Sequence, residues 1–321
     1  MQRYHDCPQV LREFLIYHEN IKGQSPLTIS EYYLDLRMFL RFIKLMRNDM
    51  PMSTNLDDID IKEIDIQFIR DIDTSDIFDF LSYLANDRAI NPDSAAPEYG
   101  ISPAARARKL SSIKSFYKYL TTRTKQLQEN PVADLEYPKL RKSLPKYLTM
   151  EQSAALLKSV SGQNEKRDYA ILMLFLNCGI RRSELVNLNL SDVYEDRIRV
   201  IGKGNKERVV YFNARTKLHL QQYLDERTDD NPALFVSLHS PHTRLTISGV
   251  EVRIRELGKS LSMPKVHPHK FRRTLATMAI DKGMPIEQVQ RLLGHVRIDT
   301  TLHYAIVNQN NVKLAHKKYL G

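Results

Sequence analysis

The sequence predicts a mainly helical protein of two domains, with one small antiparallel sheet in the second domain. Most segments carry apolar residues at helical spacing, as in the series Tyr32, Leu36, Phe39, Leu40 and Ile43. Two β-prone runs, residues 197–201 and 207–212, flank a turn that contains glycine, which predicts a hairpin. A basic stretch with prolines at both ends, residues 138–147, divides the chain and is expected to be a linker.

Length and charge limit the classes of function. The 321 residues allow two domains of ordinary size, each with its own core. The chain has 48 Lys and Arg against 38 Asp and Glu, which gives a formal net charge of +10. This excess favours a polyanionic partner such as DNA, because each basic side chain that neutralises a phosphate releases counterions.

The cysteine pattern and the apolar runs indicate an intracellular protein. Cys7 and Cys178 lack the spacing of a disulfide scaffold or of a zinc site, as expected in a reducing compartment. The first residues lack the apolar core of a signal peptide, and the longest apolar run, residues 170–176, is too short to span a bilayer. We therefore expect a cytoplasmic protein with no membrane partner.

Residues 1–137 are predicted to form the first, helical domain. Residues 8–47 predict two helices that are separated by a break at residues 22–26, and another helix begins near Thr74. Residues 90–103 contain three prolines and one glycine and predict a loop. Residues 49–79 carry ten acidic and two basic side chains, so we expect this acidic segment to point away from DNA.

Residues 103–125 predict the helix that contacts DNA. Its apolar stripe consists of Leu110, Ile113, Tyr117 and Leu120. Basic and hydroxyl side chains share a neighbouring face when the chain is wound at about 100° per residue. They are Arg108, Ser111, Lys114, Ser115 and Lys118. Such side chains suit a phosphate backbone or a major groove, and a solvated surface is the alternative interpretation.

The second domain is predicted to span residues 148–321. Thr149 and Gln152 have the spacing of a capping box at its first helix, and Gly179 is expected to end an apolar helix. Ser248 and Glu251 have the spacing of a further capping box. Besides the hairpin, helices are predicted at residues 213–226, 248–261, 268–281 and 285–293.

Several side chains have the properties that phosphoryl transfer needs, namely cations for the nonbridging oxygens and an acid for the leaving oxygen. Arg181 follows a helix end and has Glu184 three residues later to orient its guanidinium. Arg272 shares a helix face with His269, and Lys203 lies at the hairpin tip. His269 has no acidic or thiol partner at ligand spacing, so we predict neither a metal nor a cofactor.

Residues 291–304 contain the candidate nucleophile. Gly294 tolerates the left-handed conformation that commonly ends helices, and it presents His295 just past the helix end. A short new helix is expected to carry Tyr304. The residues predicted to cap it are Asp299, Thr300 and Thr301.

These stretches together resemble the tyrosine recombinase (phage integrase) family, most closely its bacterial Xer-type members. Residues 179–185 resemble the first arginine motif of the family, and residues 201–208 resemble its lysine hairpin. His269 and Arg272 match its His-x-x-Arg motif, although Arg273 stands where the Xer pattern usually has histidine. Residues 293–295 match the third motif, and Tyr304 follows nine positions after His295.

The resemblance implies a mechanism and assigns six catalytic residues. Tyr304 is the nucleophile that forms a 3′-phosphotyrosyl bond, and Lys203 protonates the departing 5′-oxygen. Arg181 and Arg272 hold the charge of the transition state. His269 accepts the proton of the tyrosine, and His295 donates a hydrogen bond to a nonbridging oxygen. A covalent intermediate conserves the phosphodiester energy, so neither ATP nor metal is needed.

The resemblance also implies an architecture and partners. It describes a helical core-binding (SAM-like) domain, a mixed α/β catalytic domain and a synaptic tetramer that exchanges strands through a Holliday junction at specific DNA sites. The tetramer is a homotetramer or includes a second recombinase, a DNA translocase is a further candidate partner, and the tail at residues 305–321 packs on a neighbouring protomer. The expected task, on nucleoid DNA, is chromosome dimer resolution or the movement of a mobile element. The alternatives are a catalytically silent DNA-binding protein and a type IB topoisomerase-like enzyme.

Overall fold

The computed structural model describes most of the chain. The described residues are 4, 6–51, 54–91, 94–139, 146–202, 206–263, 265–295, 297–299 and 301–302. Two predicted catalytic residues, Lys203 and Tyr304, lie outside the described residues, as do Thr300 and the tail. The chain divides into two compact units, Met1–Lys142 and Ser143–Gly321.

Unit 1 is built from helices whose ends are determined locally. Its helices are α1 (Gln9–Ile16, continued by the π-helical segment Tyr17–Ile21), α2 (Pro26–Arg47), α3 (Ile66–Arg70), α4 (Thr74–Asn86) and α5 (Pro103–Thr122). Pro26 occupies the first turn of α2, where its missing N–H costs nothing, and Ser25 caps that helix. Asp73 and Asp76 form a capping box on α4. The predicted helices of this region, including the break before α2, are confirmed.

Aromatic side chains dominate the core of unit 1. Phe14, Phe39 and Phe80 are fully buried there, and Phe14 packs edge-on against Phe116 with ring centroids 5.3 Å apart. The predicted apolar stripe of α5 is confirmed, because each of its four members has no exposed surface. They are Leu110, Ile113, Tyr117 and Leu120.

The acidic segment at residues 49–79 is tied to the basic side chains of α2. Asp57 pairs with Arg41 at 2.5 Å, and Asp76 pairs with Arg47 at 3.0 Å. Asp65 accepts a hydrogen bond from the backbone N–H of Phe68 and so caps α3. These carboxylates therefore contact helix ends and α2 within unit 1. The expected orientation of this segment away from DNA stays a prediction.

Unit 2 is mainly helical and contains one hairpin. Its elements are α6 (Met150–Lys158), α7 (Glu165–Cys178), α8 (Arg182–Asn187), β1 (Arg197–Ile201), β2 (Glu207–Tyr211), α9 (Ala214–Asp225), α10 (Ile247–Ser260), α11 (Pro268–Asp281) and α12 (Ile286–Leu293). The strands pair antiparallel with Arg199 opposite Val209, so the predicted hairpin is confirmed. α7 packs against α9 and α11, and Phe175 stacks on Phe271 at 5.8 Å.

One of the two capping boxes predicted for unit 2 is present in the structure, and the other is not. The capping box of Thr149 and Gln152 is present at the start of α6. The predicted capping box of Ser248 and Glu251 is wrong. Thr246 caps α10 by accepting a hydrogen bond from the N–H of Gly249 at 3.0 Å, because the helix begins one residue before Ser248. Within the described part of the chain, no helix is long and apolar enough to cross a membrane.

Candidate active site

Two helix ends meet at the side chain of Arg272. α7 and α12 both end in a left-handed glycine, Gly179 with φ of +57° and Gly294 with φ of +63°. Nη1 of Arg272 donates to the carbonyl of Gly179 at 2.5 Å, and Nη2 donates to the carbonyl of Leu293. Carbonyl groups at helix C-termini carry partial negative charge, so they attract and orient this guanidinium. Arg272 is only 4% exposed.

The neighbouring Arg273 is less buried than Arg272. In α11 the direction of the side chain changes by about 100° per residue, so adjacent arginines cannot share these carbonyl contacts. The arginine that contacts the two helix ends is therefore Arg272, the one favoured by its spacing from His269.

Arg181 lies at the N-terminus of α8, where Glu184 holds it at two points. The carboxylate of Glu184 accepts a hydrogen bond from the backbone N–H of Arg181 at 2.8 Å and another from Nη1 at 2.6 Å. Nη2 of Arg181 donates to the carbonyl of Gly294 at 3.1 Å. The contact with Glu184 that the i to i+3 spacing predicted is thus present. The side chain of Arg181 keeps 29% of its surface exposed, so an anion can reach it.

Arg208 on β2 was not among the predicted site residues. Its Nη1 and Nη2 bind the two carboxylate oxygens of Glu184, each at 2.8 Å. Burial alone would raise the pKa of Glu184, but the hydrogen bonds from Arg208 and Arg181 outweigh it and lower the pKa to about 2. One sequence signal could have identified Arg208. Arg208 and Val210 are two residues apart in β2, so they lie on the same, inner face of the strand. A charged residue on that face requires a buried partner.

His295 follows directly after Gly294 and is partly buried. Its Nδ1 lies 2.8 Å from the hydroxyl of Thr301, a residue with no exposed surface. Burial and the positive charges of Arg272, Arg181 and Arg208 lower the pKa of His295 to about 4, so the imidazole is neutral at pH 7.

The expectation that Asp299 and Thr301 cap the helix after His295 is wrong. The N–H of Leu302 bonds to the carbonyl of Ile298, so the helical turn begins with Asp299, directly after Ile298, and Thr301 lies within it. The hydroxyl of Thr301 is consequently directed to the histidine, a contact that cap preferences do not predict.

His269 lies one turn before Arg272 on α11, and it is exposed to solvent. Loss of part of its hydration and the positive charge of Arg182 hold the pKa of His269 below its ordinary value. His267 lies beside it, with ring centroids 6.4 Å apart. In the described ranges, no three His, Cys, Asp or Glu side chains are grouped so that they could hold a metal ion.

The structure brings three of the six predicted catalytic residues together. Arg181, Arg272 and His295 converge on the backbone at Gly294. Lys203 lies outside the described residues, but the residue before it lies close to the same group. A Cβ built on Gly202 would be 3.5 Å from Arg208 and 3.5 Å from Glu184.

The predicted DNA-contacting face of α5 has a mixed environment. Arg108 forms ion pairs with Glu31 and with Asp35, which is fully buried and also binds Lys109 and Ser112. Of the other predicted residues, Ser111 and Lys118 are exposed and Lys114 and Ser115 are partly buried. Lys114 donates to the carbonyl of Ala133 at 3.2 Å. Arg108, Ser111 and Lys118 are therefore the exposed side chains of this face, and of these three Arg108 already pairs with carboxylates.

The sequence profile of the Phage integrase family matches residues 146–311. The chain belongs to this family. The tyrosine recombinase XerC of Caldanaerobacter subterraneus subsp. tengcongensis is 40% identical to it, over 97% of this chain and 86% of the relative. The tyrosine recombinase XerC of Leptospira interrogans is 32% identical, over 97% of this chain and 92% of the relative.

Solved structures agree with this assignment. The XerA recombinase crystal structure is 28% identical with a TM-score of 0.50, covering 97% of this chain and 98% of that chain. The site-specific recombinase XerH, in a post-cleavage complex with palindromic difH substrate, has the same fold at 20% identity. It has a TM-score of 0.68 and covers 96% of this chain and 84% of that chain. The predicted family and fold are confirmed, and so is the predicted activity of a tyrosine-type site-specific recombinase.

Proposed function

We propose that this phage integrase family member cuts DNA through a 3′-phosphotyrosyl bond to Tyr304 and rejoins the strand to a partner duplex. The observation that carries the proposal is the convergence of Arg181 and Arg272 on the carbonyls of Gly294 and Leu293, just before His295. A phosphoryl transition state concentrates charge on nonbridging oxygens, and donors fixed in advance stabilise it without reorganisation.

The chemical step breaks one P–O bond and forms another. The phenolic oxygen of Tyr304 attacks phosphorus, the bond to the 5′-oxygen breaks, and Lys203 protonates that oxygen. A phenol has a pKa of ~10 and therefore needs a base. His269 takes this proton, since its lowered pKa leaves it neutral at pH 7. Rejoining is the reverse reaction with a different 5′-hydroxyl, and the phosphotyrosyl bond conserves the energy.

His295 donates to a nonbridging oxygen in this proposal. It is neutral at pH 7, and its Nδ1 lies within hydrogen-bond distance of the Thr301 hydroxyl. In this proposal the hydroxyl of Thr301 donates to Nδ1, so the single proton of the ring resides on Nε2. Nε2–H is then the donor that a phosphate oxygen requires.

The proposed substrate is double-stranded DNA at specific recombination sites, bound in a synaptic tetramer on the nucleoid in the cytoplasm. The exposed Ser111 and Lys118 on α5 support a DNA contact of the first unit. The tetramer is a homotetramer or includes a second recombinase, and a DNA translocase and the docking of residues 305–321 on a neighbour belong to the same proposal. The biological outcome is either chromosome dimer resolution or mobile-element movement.

The test is covalent trapping on a nicked suicide substrate. Wild-type protein should form a DNA adduct, and Tyr304→Phe should bind the same DNA with unchanged affinity and form none. Tyr211→Phe is the matched control, because Tyr211 is an exposed tyrosine of the same unit and should still give adducts. An adduct that survives Tyr304→Phe would remove Tyr304 from the role. Relaxation of supercoils without exchange between two sites would favour the topoisomerase-like alternative.

A further inference from the structure

We propose that Arg208 is a positioning residue of the recombination site, and that its pair with Glu184 keeps the positive charge of Arg181 available to the scissile phosphate. The inference rests on the proposed role of Arg181 as a phosphate ligand. Arg208 itself reaches the substrate in no step of this proposal, because both of its terminal nitrogens bind Glu184.

The contacts of Glu184 show how the charge is divided. Each oxygen of this buried carboxylate accepts one hydrogen bond from Arg208 and one from Arg181. Glu184 is only 4% exposed, so solvent contributes little to balancing its charge. Two guanidiniums share a single carboxylate, and the group keeps one net positive charge. Without Arg208, Arg181 and Glu184 would form a neutral ion pair, and the attraction for a phosphate oxygen would fall.

Arg208 also packs against the backbone that Arg181 binds. A Cβ built on Gly294 would lie 2.9 Å from Cδ of Arg208 and 3.1 Å from its Nε, so the arginine stem lies directly over this glycine. The carbonyl of the same glycine accepts the hydrogen bond from Arg181. Nε of Arg208 is buried and has no hydrogen-bond partner among the described residues. Arg208 therefore binds Glu184 and packs on Gly294 in a position that leaves its Nε without a hydrogen bond among the described residues.

Arg208 lies on the same hairpin as the lysine motif, so it connects Glu184 and Arg181 to that motif. Arg208 pairs across the sheet with Val200, and the N–H of Gly202 bonds to the carbonyl of Lys206 at the end of the hairpin. Lys203 follows Gly202 in the chain. Removal of Arg208 should therefore affect the charge at Arg181 and also loosen the attachment of the hairpin to α8.

Single-turnover cleavage of the nicked suicide substrate at saturating protein tests the charge argument. Arg208→Gln should lower the cleavage rate by about tenfold to a hundredfold without loss of DNA affinity, less than the loss of a direct ligand. Arg208→Lys, which keeps the charge, should be faster than Arg208→Gln. Adding Glu184→Gln to Arg208→Gln should recover part of the rate, since a neutral amide no longer cancels the charge of Arg181.

Arg199→Gln is the matched control. Arg199 is also a hairpin arginine bound to a buried carboxylate, Asp192, at 2.8 Å, but it does not contact Glu184. Its loss should leave the rate unchanged. A melting curve for each variant separates folding from chemistry, and a purely structural role for Arg208 predicts no rescue by Glu184→Gln.

Three outcomes would overturn the inference. They are a wild-type rate for Arg208→Gln, a double variant no faster than Arg208→Gln, and Arg208→Lys as slow as Arg208→Gln. Arg181→Ala is measured in parallel. If it cleaves at the wild-type rate, the proposed function itself fails, whereas an inactive Arg181→Ala beside a fully active Arg208→Gln contradicts this inference alone.

Discussion

Arg181 and Arg272 donate hydrogen bonds to two consecutive carbonyl groups, those of Gly294 and Leu293. One of the arginines precedes a helix in the middle of unit 2, and the other is buried in α11. The two contacts position both guanidiniums at the end of α12, where the chain turns toward His295. The two arginines make similar contacts, but the contribution of each contact to the free energy of unfolding should differ. Arg272 is 4% exposed, whereas the side chain of Arg181 is 29% exposed.

Replacement of Arg272 by alanine should destabilise the protein. The change leaves the carbonyls of Gly179 and Leu293 without their charged donor in a buried site, at a cost of about 2–5 kcal/mol. Urea unfolding monitored by circular dichroism measures this cost. Arg273→Ala is the neighbouring control and should cost less than about 1 kcal/mol, because Arg273 is only partly buried. Equal stability of the two variants would contradict the role of Arg272 as a connector of helix ends.

The glycines at the ends of α7 and α12 should not tolerate a side chain. An alanine at a left-handed position costs about 1–2 kcal/mol. At Gly179 the new Cβ would also lie 2.7 Å from a methyl of Leu275, and at Gly294 it would press on Arg208. Gly294→Ala should therefore lower both stability and cleavage.

Gly283→Ala separates the backbone effect from the steric effect. Gly283 has φ of +89°, and no atom of the described residues lies within 4 Å of a Cβ built there. We expect it to lose only the backbone contribution, so its unfolding free energy should fall less than that of Gly179→Ala. An equal fall in the free energy of unfolding of both variants would show that the close packing at Gly179 does not contribute to stability.

Cleavage should depend on the protonation of His269. Its pKa lies below the ordinary histidine value of 6.5, so the ring is a free base at pH 7 and becomes protonated only in more acidic solution. The single-turnover rate should thus fall as the solution is acidified, with the midpoint of the acid limb below pH 6.5. His269→Gln should be slow and should lose this acid limb. A limb that persists in the variant would assign the titration to another group.

The stability of the protein should fall in two steps as the solution is acidified. The pKa of His295 is about 4 in the folded protein against 6.5 ordinarily, so between these values the unfolded chain takes up a proton that the folded one does not. Glu184, with a pKa of about 2 against 4.5, acts in the same direction at lower pH. Thermal melting of His295→Gln should show a smaller loss between pH 6.5 and 4 than the wild type, because His18, His267 and His269 also contribute there. Glu184→Gln should show a smaller loss at lower pH.

Binding of DNA by unit 1 should depend on Lys118 and not on the acidic segment. Lys118 is an exposed residue of α5, and its loss should reduce the slope of log K against log salt by about 0.9 for one phosphate contact. Lys62→Ala is the control, since Lys62 is exposed within the acidic segment. Gel-shift titrations at several salt concentrations measure both slopes. An equal change in the two variants would contradict the assignment of α5 as the DNA-contacting helix.

The sequence was sufficient wherever the physical cause lies within a few residues. The capping box of Thr149 and Gln152 and the left-handed ends at Gly179 and Gly294 depend on local backbone preferences, and they are present as predicted. The hairpin follows from two β-prone runs around a glycine turn. The prediction for the cap of α10 was wrong because Thr246 and Ser248 are both good capping residues, and the sequence pattern does not decide which residue begins the helix.

The arrangement around the site depends on contacts between residues far apart in the chain, and only the tertiary structure decides them. Arg208 lies 24 positions from Glu184, and Arg181 lies 113 positions from Gly294. The sequence by itself determined which helices end in a left-handed glycine and which arginines have the family spacing. Arg272 is buried against two carbonyls because α11 packs against both α7 and α12. Glu184 gains Arg208 as a second arginine partner because the inner face of β2 packs against it. Local preferences cannot contain this information, because the energy of a buried charge depends on which partners the fold brings to it.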